Sequence, residues 1–147
     1  MAGVGIATVF RHFPTKQALV EATLIAHFQR LTARARSLSE SSEPAELLST
    51  LIREMVQSGA TKVTLASVAG EGSDLPPGVR DASNQLRDAV ADALSRAQDA
   101  GAARDSLTVD EVYLLIRALA QTTATTPTDK TTLDGAVDIV LAGLLRR

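Results

Sequence analysis

The sequence predicts an all-α fold, on three observations. Apolar residues recur at spacings of three and four along nearly the whole chain, and no segment keeps a strand's two-residue alternation for long. The breaks between these runs carry helix punctuation: Thr15, Pro44, Gly101 and a Thr108–Glu111 pair. The apolar share is 45% but the aromatic share only 3%, with no Trp, so the core must be built from Leu, Val, Ile and Ala, which pack well between helices. A chain of 147 residues suits one compact domain, or one domain with a small appendage.

The N-terminal segment carries the most information. Gly3 supplies the freedom that a sharp helix-to-helix turn needs, and Val4 follows as an apolar anchor. Between Gly5 and Phe13, the apolar residues Ile6, Val9, Phe10 and Phe13 sit three or four apart, so Val9 and Phe13 share one face and belong to a core. Thr8, Arg11 and His12 fall largely elsewhere. A short helix with a thin buried stripe and a polar outer face suits insertion into a DNA major groove. Pro14 biases Phe13 out of the helical region, and Thr15 is a good N-cap for a helix beginning at Lys16.

The remaining elements follow in order. Leu19, Ala22, Ala26, Leu31, Ala35 and Leu38 recur at near-helical spacing, predicting a helix from Lys16 to about Leu38. Ser37–Ser42 reads as a polar break, with Pro44 near the first turn of the next helix. Leu47, Leu48, Leu51, Ile52, Met55 and Val56 form a strong apolar face, and Ser58-Gly59 is expected to end that helix, with Gly59 as a left-handed cap. Residues 62–69 read as a short helix or irregular segment; the β-branched Val63, Thr64 and Val68 also allow a short buried strand. Gly70 to Pro77 reads as a loop. A long helix follows from Val79 to about Ala100, carrying Leu86, Val90, Ala93, Leu94 and Ala97, with Gly101 as its stop signal. Thr108 and Glu111 fit a capping box that opens a helix through Val112, Leu115, Ile116 and Leu119. Residues 122–128 read as a Thr-rich loop, with Pro127 in the first turn of a last helix carrying Leu133, Val137, Val140, Leu141, Leu144 and Leu145. The count from Lys16 onward is about six helices.

Three matching blocks, Ala2-Gly3-Val4, Thr8-Val9-Phe10-Arg11-His12-Phe13 and Pro14-Thr15-Lys16-Gln17-Ala18-Leu19, give the N-terminus its identity. Together they resemble the TetR/AcrR family of transcriptional repressors, whose pattern is an Ala-Gly-Val turn, then Thr-Leu-Tyr-x-His-Phe, then Pro-Ser-Lys-x-x-Leu. Phe10 departs from the family's usual Tyr and lacks its phenolic donor. The resemblance implies a helix-turn-helix DNA-binding head with its connecting helix over residues 1–36 and an antiparallel helical regulatory domain for ligand binding and dimerisation over 37–147. The family places two helices before the matched segment, and here only Met1 precedes it. The head is therefore expected to be partial, lacking the first helix and most of the second, with specific DNA binding weak or absent.

The roles implied by the resemblance transfer residue by residue. Ile6, Ala7 and Thr8 would face base edges and the adjoining backbone. Phe10 would pack on sugar or a thymine methyl, Arg11 and His12 would meet phosphate or base edges, and Lys16 would meet a phosphate at the positive end of its helix. The plainer readings are that Arg11 is an ordinary solvated charge and His12 a surface histidine. No metal ligation is expected at His12, because no second ligand lies nearby. The resemblance also implies a homodimer through residues 108–122 and 128–146, where Leu114-Leu115-Ile116 and Leu144-Leu145 hint at two apolar faces; the alternative is that these residues pack only within one subunit. It implies a small-molecule inducer pocket among residues 44–119, with Met55, Tyr113 and Arg117 as lining candidates or, more plainly, as core and surface residues.

Charge is unevenly placed. Residues 1–38 hold Arg11, Lys16, Arg30, Arg34 and Arg36 against Glu21, a net of +4; the other ten basic and sixteen acidic side chains make −6. A basic end on an acidic body is the footprint of a nucleic-acid contact with a separate regulatory body, although Arg30, Arg34 and Arg36 could equally be the wet face of a helix. The absence of Cys excludes disulfides, thiolate catalysis and zinc-finger sites. No apolar run approaches the roughly 20 residues of a membrane span, and the start is unlike a secretory signal, so no membrane partner and a cytoplasmic location are expected. An enzyme is not expected: both histidines, His12 and His27, lie near the N-terminus, Gly70-Glu71-Gly72 has no preceding strand, and Asp110-Glu111 is explained by capping. No cofactor is implied. Two readings stand: a DNA-binding transcriptional regulator acting as a ligand-responsive repressor and homodimer, or a truncated ligand-binding and dimerisation module that has lost specific DNA binding.

Overall fold

The computed structural model describes residues 15–69 and 75–146, with residues 60–69 as backbone only. Thr15 starts the first helix as its sequence position demands. Its backbone is extended, and its hydroxyl accepts from the Ala18 N–H at 3.0 Å, satisfying one of the donors that a helix start leaves unpaired. The helices are α1 (Lys16–Ser41), α2 (Pro44–Ala69), α3 (Pro77–Asp99), α4 (Val109–Thr125) and α5 (Lys130–Leu144). The described residues thus hold five helices where about six were expected.

The missing boundary is at Gly59. The backbone of α2 runs straight through Ser58-Gly59 and over residues 60–69, so neither the left-handed cap nor the strand alternative is realised. Among the described glycines only Gly101 has a positive φ. Gly59 answers a packing demand instead: a Cβ built there would lie 2.5 Å from the Cβ of Ala120 on α4. The two helices cross so closely that only glycine fits, and α2 accepts the propensity cost of about 1 kcal/mol to allow it.

Two other breaks were also placed too early, for a shared reason. Ser39 and Ser41 donate their hydroxyls to the carbonyls of Arg36 and Ser37, and Thr123 and Thr125 do the same to the turns before them. Small hydroxylated side chains bonded back along the helix extend α1 to Ser41 and α4 to Thr125. Asp129 then caps α5, accepting from the Thr132 N–H at 2.7 Å, so Pro127 lies before that helix and not in its first turn. The buried face at the start of α1 also differs from expectation. Val20, Leu24 and Phe28 form it, leading into Leu31, Ala35 and Leu38, while Leu19 and Ala26 are exposed and Ala22 is half-buried.

The other signals hold. Thr108 and Glu111 form a reciprocal capping box, and Gly101, at φ +72°, ends α3. The α3–α4 connection is gathered by the Gln98 amide, which donates to the carbonyls of Arg104 and Leu107. An isolated bridge between Ala103 and Leu145 ties the end of α5 to it. At the centre, α2 packs against all four other helices, and its Leu48, Leu51, Ile52 and Val56 are almost completely buried. Full burial of each such side chain is worth about 1.5–3 kcal/mol.

Gly59→Ala is expected to destabilise the protein by about 1–2 kcal/mol. Overpacking costs about 1–3 kcal/mol, the helix-propensity gain offsets at most about 1 kcal/mol, and neither Cβ can rotate away. Urea denaturation checks this. Ala120→Gly in the same background should recover more stability than the two single changes predict additively, and an additive pair would sink the close-crossing account.

Candidate functional site

A cavity of about 320 Å³ opens where α1, α2, α3 and α4 meet. Phe28 and Leu31 of α1, Met55 of α2, Leu86 of α3, and Ile116 and Ala120 of α4 form its apolar walls, and Gly59 lies where α2 and α4 cross. The same glycine that lets the helices touch therefore also shapes the cavity. Its polar groups are concentrated on three helices: His27 on α1, Ser83, Asn84 and Arg87 on α3, and Tyr113 and Arg117 on α4. A mostly apolar enclosure of this size with a few convergent polar groups is the usual form of a small-molecule site. A more open cleft between α1 and α3 is lined by charges of both signs, including an Arg96–Asp92 pair at 2.9 Å, and has no comparable apolar wall.

Tyr113 stands at the centre of the polar cluster. Its hydroxyl is buried and finds no hydrogen-bond partner among the described residues. Burial pushes its pKa up to about 12; Arg87 and Arg117 oppose the rise and Asp88 adds to it. The phenol is therefore neutral at physiological pH and keeps a proton to donate. Arg87 lies over the Tyr113 ring, its guanidinium carbon 5.2 Å from the centroid, and pairs with Asp110 in the first turn of α4. Arg117 donates to the Tyr113 carbonyl one turn back at 3.4 Å and makes no ion pair among the described residues. Nδ1 of His27 lies 3.3 Å from the guanidinium of Arg30.

Met55, Tyr113 and Arg117 thus meet at one cavity, although they come from distant parts of the chain. Sequence reading missed Arg87, Asn84 and Phe28 as their neighbours and considered His27 only for catalysis. No local signal pairs Arg87 with Tyr113, because the contact joins two helices. Of the candidate DNA-contacting residues, Ile6, Ala7, Thr8, Phe10, Arg11 and His12 lie outside the described residues. Lys16 is the first residue of α1 and is exposed there, beside the unpaired N–H groups of the helix start. The basic end is partly neutralised: Arg34 pairs with Glu54 of α2 at 3.1 Å.

Residues 43–146 match the family described as transcriptional regulator SbtR-like, C-terminal domain. The chain belongs to the TetR family of transcriptional regulators. Among solved structures, it is similar to a TetR transcriptional regulator of Streptomyces coelicolor, with a TM-score of 0.80, 26% identity, and coverage of 97% of this chain and 82% of that one. It is also similar to a TetR transcription regulatory protein of Mycobacterium vanbaalenii, with a TM-score of 0.72, 31% identity, and coverage of 98% and 78%. No curated protein matches it. Helices α2 to α5 lie within the residues that match this C-terminal domain. Among the described residues, no helix is long and apolar enough to cross a membrane.

The raised Tyr113 pKa has a measurable consequence. A phenol whose folded pKa lies near 12, against its ordinary value of 10.0, contributes nothing to the pH dependence of stability below pH 10. As pH rises from 10 to 12, the unfolded state sheds the proton first, and stability falls by about 2–3 kcal/mol. Urea denaturation from pH 9 to 12 should show this loss in the native sequence and not in Tyr113→Phe. Parallel curves for the two proteins would refute the assignment.

Proposed function

We propose that this TetR regulator is a cytoplasmic, ligand-responsive repressor that reads the DNA major groove as a homodimer. The observation that carries the reading is the continuity of α1. The motif over residues 2–19 runs directly into it, Thr15 caps it, and its later turns supply Phe28 and Leu31 to the cavity wall. Lys16 and His27 are eleven residues apart on one unbroken helix, about 17 Å along its axis. A ligand that changes how α1 seats against α2 and α3 would move the reading segment as a lever moves its far end, provided it binds the two arrangements unequally.

In this reading, Ile6, Ala7 and Thr8 face the bases, Phe10 packs on sugar or a thymine methyl, and Arg11, His12 and Lys16 hold phosphates or base edges. The division into a head over 1–36 and a body over 37–147 is functional rather than structural, since α1 passes that boundary without a break. Both TetR relatives are transcription regulators by description, which supports the regulatory role.

Selection of binding sites from a random DNA library should enrich a palindromic sequence. Against that sequence, Lys16→Ala should weaken binding at every site variant alike and lower the slope of log affinity against log salt by about 1. A selection that enriches nothing favours a ligand-binding and dimerising module without specific DNA contact.

Support for a dimer comes from the outer faces of α4 and α5. Leu114 is 63% exposed and Ile139 is 76% exposed, while Val137, Leu141 and Leu144 are used up in the subunit's own core. Ala118 and Ala142 extend the exposed faces with small side chains that permit close helix approach. Sedimentation velocity at micromolar concentration should give a dimer, and Leu114→Glu with Ile139→Glu should give a folded monomer. An unchanged dimer in the double variant would move the interface elsewhere.

A further inference from the structure

The polar lining of the cavity has a sign. Among the described residues lining it none is acidic, while two are arginines, one is a histidine, and one is a tyrosine whose buried hydroxyl has no partner among the described residues. The two arginines are not equivalent. Arg87 is held by the Asp110 carboxylate and lies over the Tyr113 ring, so its charge is largely answered within the protein. Arg117, one turn beyond Tyr113, donates to the Tyr113 carbonyl and pairs with no carboxylate among the described residues. A guanidinium can only donate, and the nearby phenol hydroxyl also has a proton to give. Opposite this donor set stands a wall of Phe28, Leu31, Met55 and Ile116, without a charge.

Building on the reading of this cavity as a ligand site, we propose that its ligand is a small organic anion, a carboxylate on an apolar body, with the carboxylate held by Arg117 and Tyr113 and the body against the α1–α2 wall. Both residues line the cavity, and each can donate to a carboxylate that enters it. A cation would meet two guanidinium groups and no carboxylate among the described lining residues, and a neutral amide would bring its own N–H donors to a site already rich in them. Charge-assisted hydrogen bonds are about twice as strong as neutral ones, and a planar guanidinium matches a carboxylate's two oxygens.

The test uses the full chain and matched probes that differ only in their head group: 4-phenylbutyrate and octanoate, their primary amides, and the corresponding amines. Calorimetric titration and thermal shift should show the carboxylates binding at least tenfold more tightly than the amides, with no binding of the amines. Arg117→Met should reduce carboxylate affinity at least tenfold and amide affinity by a much smaller factor. Because Arg117 is exposed, the variant's melting temperature without ligand should match the parent's. Tyr113→Phe should weaken the carboxylates by a smaller factor. Amides or amines that bind as well as the carboxylates would overturn the anion assignment while leaving the cavity a ligand site. If none of the six compounds binds, both the anion assignment and the ligand-site reading are overturned. Equal carboxylate binding by the native protein and Arg117→Met overturns the role of Arg117.

Discussion

The packing of α2 among the other four helices is the constraint on which the rest of this fold depends. Its buried stripe, Leu47 to Val56, gives every neighbour an apolar surface to cover. Burial drives helices together wherever there is surface to hide, but it does not set their spacing. That is decided at the crossing of α2 and α4, where Gly59 leaves room for the Ala120 methyl and no room for a side chain of its own. A larger residue at either position would hold the two helices apart and widen the gap now bounded by α1 and α3. The close crossing and the cavity are therefore one geometric arrangement: small residues draw two helices together at one point, and the large side chains around it line the space that remains.

Within that space, the chemistry follows from what each helix can supply. Donors come from α3 and α4, and Asp110, which answers Arg87, lies in the first turn of α4, outside the lining. Negative charge there is favourable for the helix as well as for the arginine. A single acidic residue in the capping region thus steadies the helix start and positions the guanidinium above Tyr113. The tyrosine's buried hydroxyl disfavours its own ionisation and lacks a partner among the described residues, an arrangement that favours any acceptor able to enter.

The long first helix gives this local chemistry a reach beyond the body. It packs on α2 and α3 along its length, contributes to the cavity about halfway along, and begins at a capped terminus that carries Lys16. A continuous helix transmits displacement with little loss, because bending it would break several backbone hydrogen bonds at once. In the function proposed above, this helix is the element that joins the sensing body to the reading segment.

Much of the body was legible in the sequence. The all-α class, the cores of α2 and α3, the Thr15 cap, the Gly101 stop and the Thr108–Glu111 box all rest on residues within a few positions of one another, where helix periodicity and capping operate. The reading failed where a residue's local habit gave way to a distant partner. Gly59 has the composition of a helix end but serves a contact with Ala120, sixty-one residues on, and the hydroxyls of Ser39, Ser41, Thr123 and Thr125 bond back along helices instead of breaking them. The cavity was legible only as separate residues. Met55, Tyr113 and Arg117 could be named, but Arg87 joins them only because α3 and α4 lie side by side. By itself, the sequence determined the all-α class, the principal caps and the buried faces of α2 and α3, since these depend on near neighbours. Only the tertiary structure decided how close those helices come and which polar groups face one another across the gap, because both depend on contacts between residues that the chain keeps far apart.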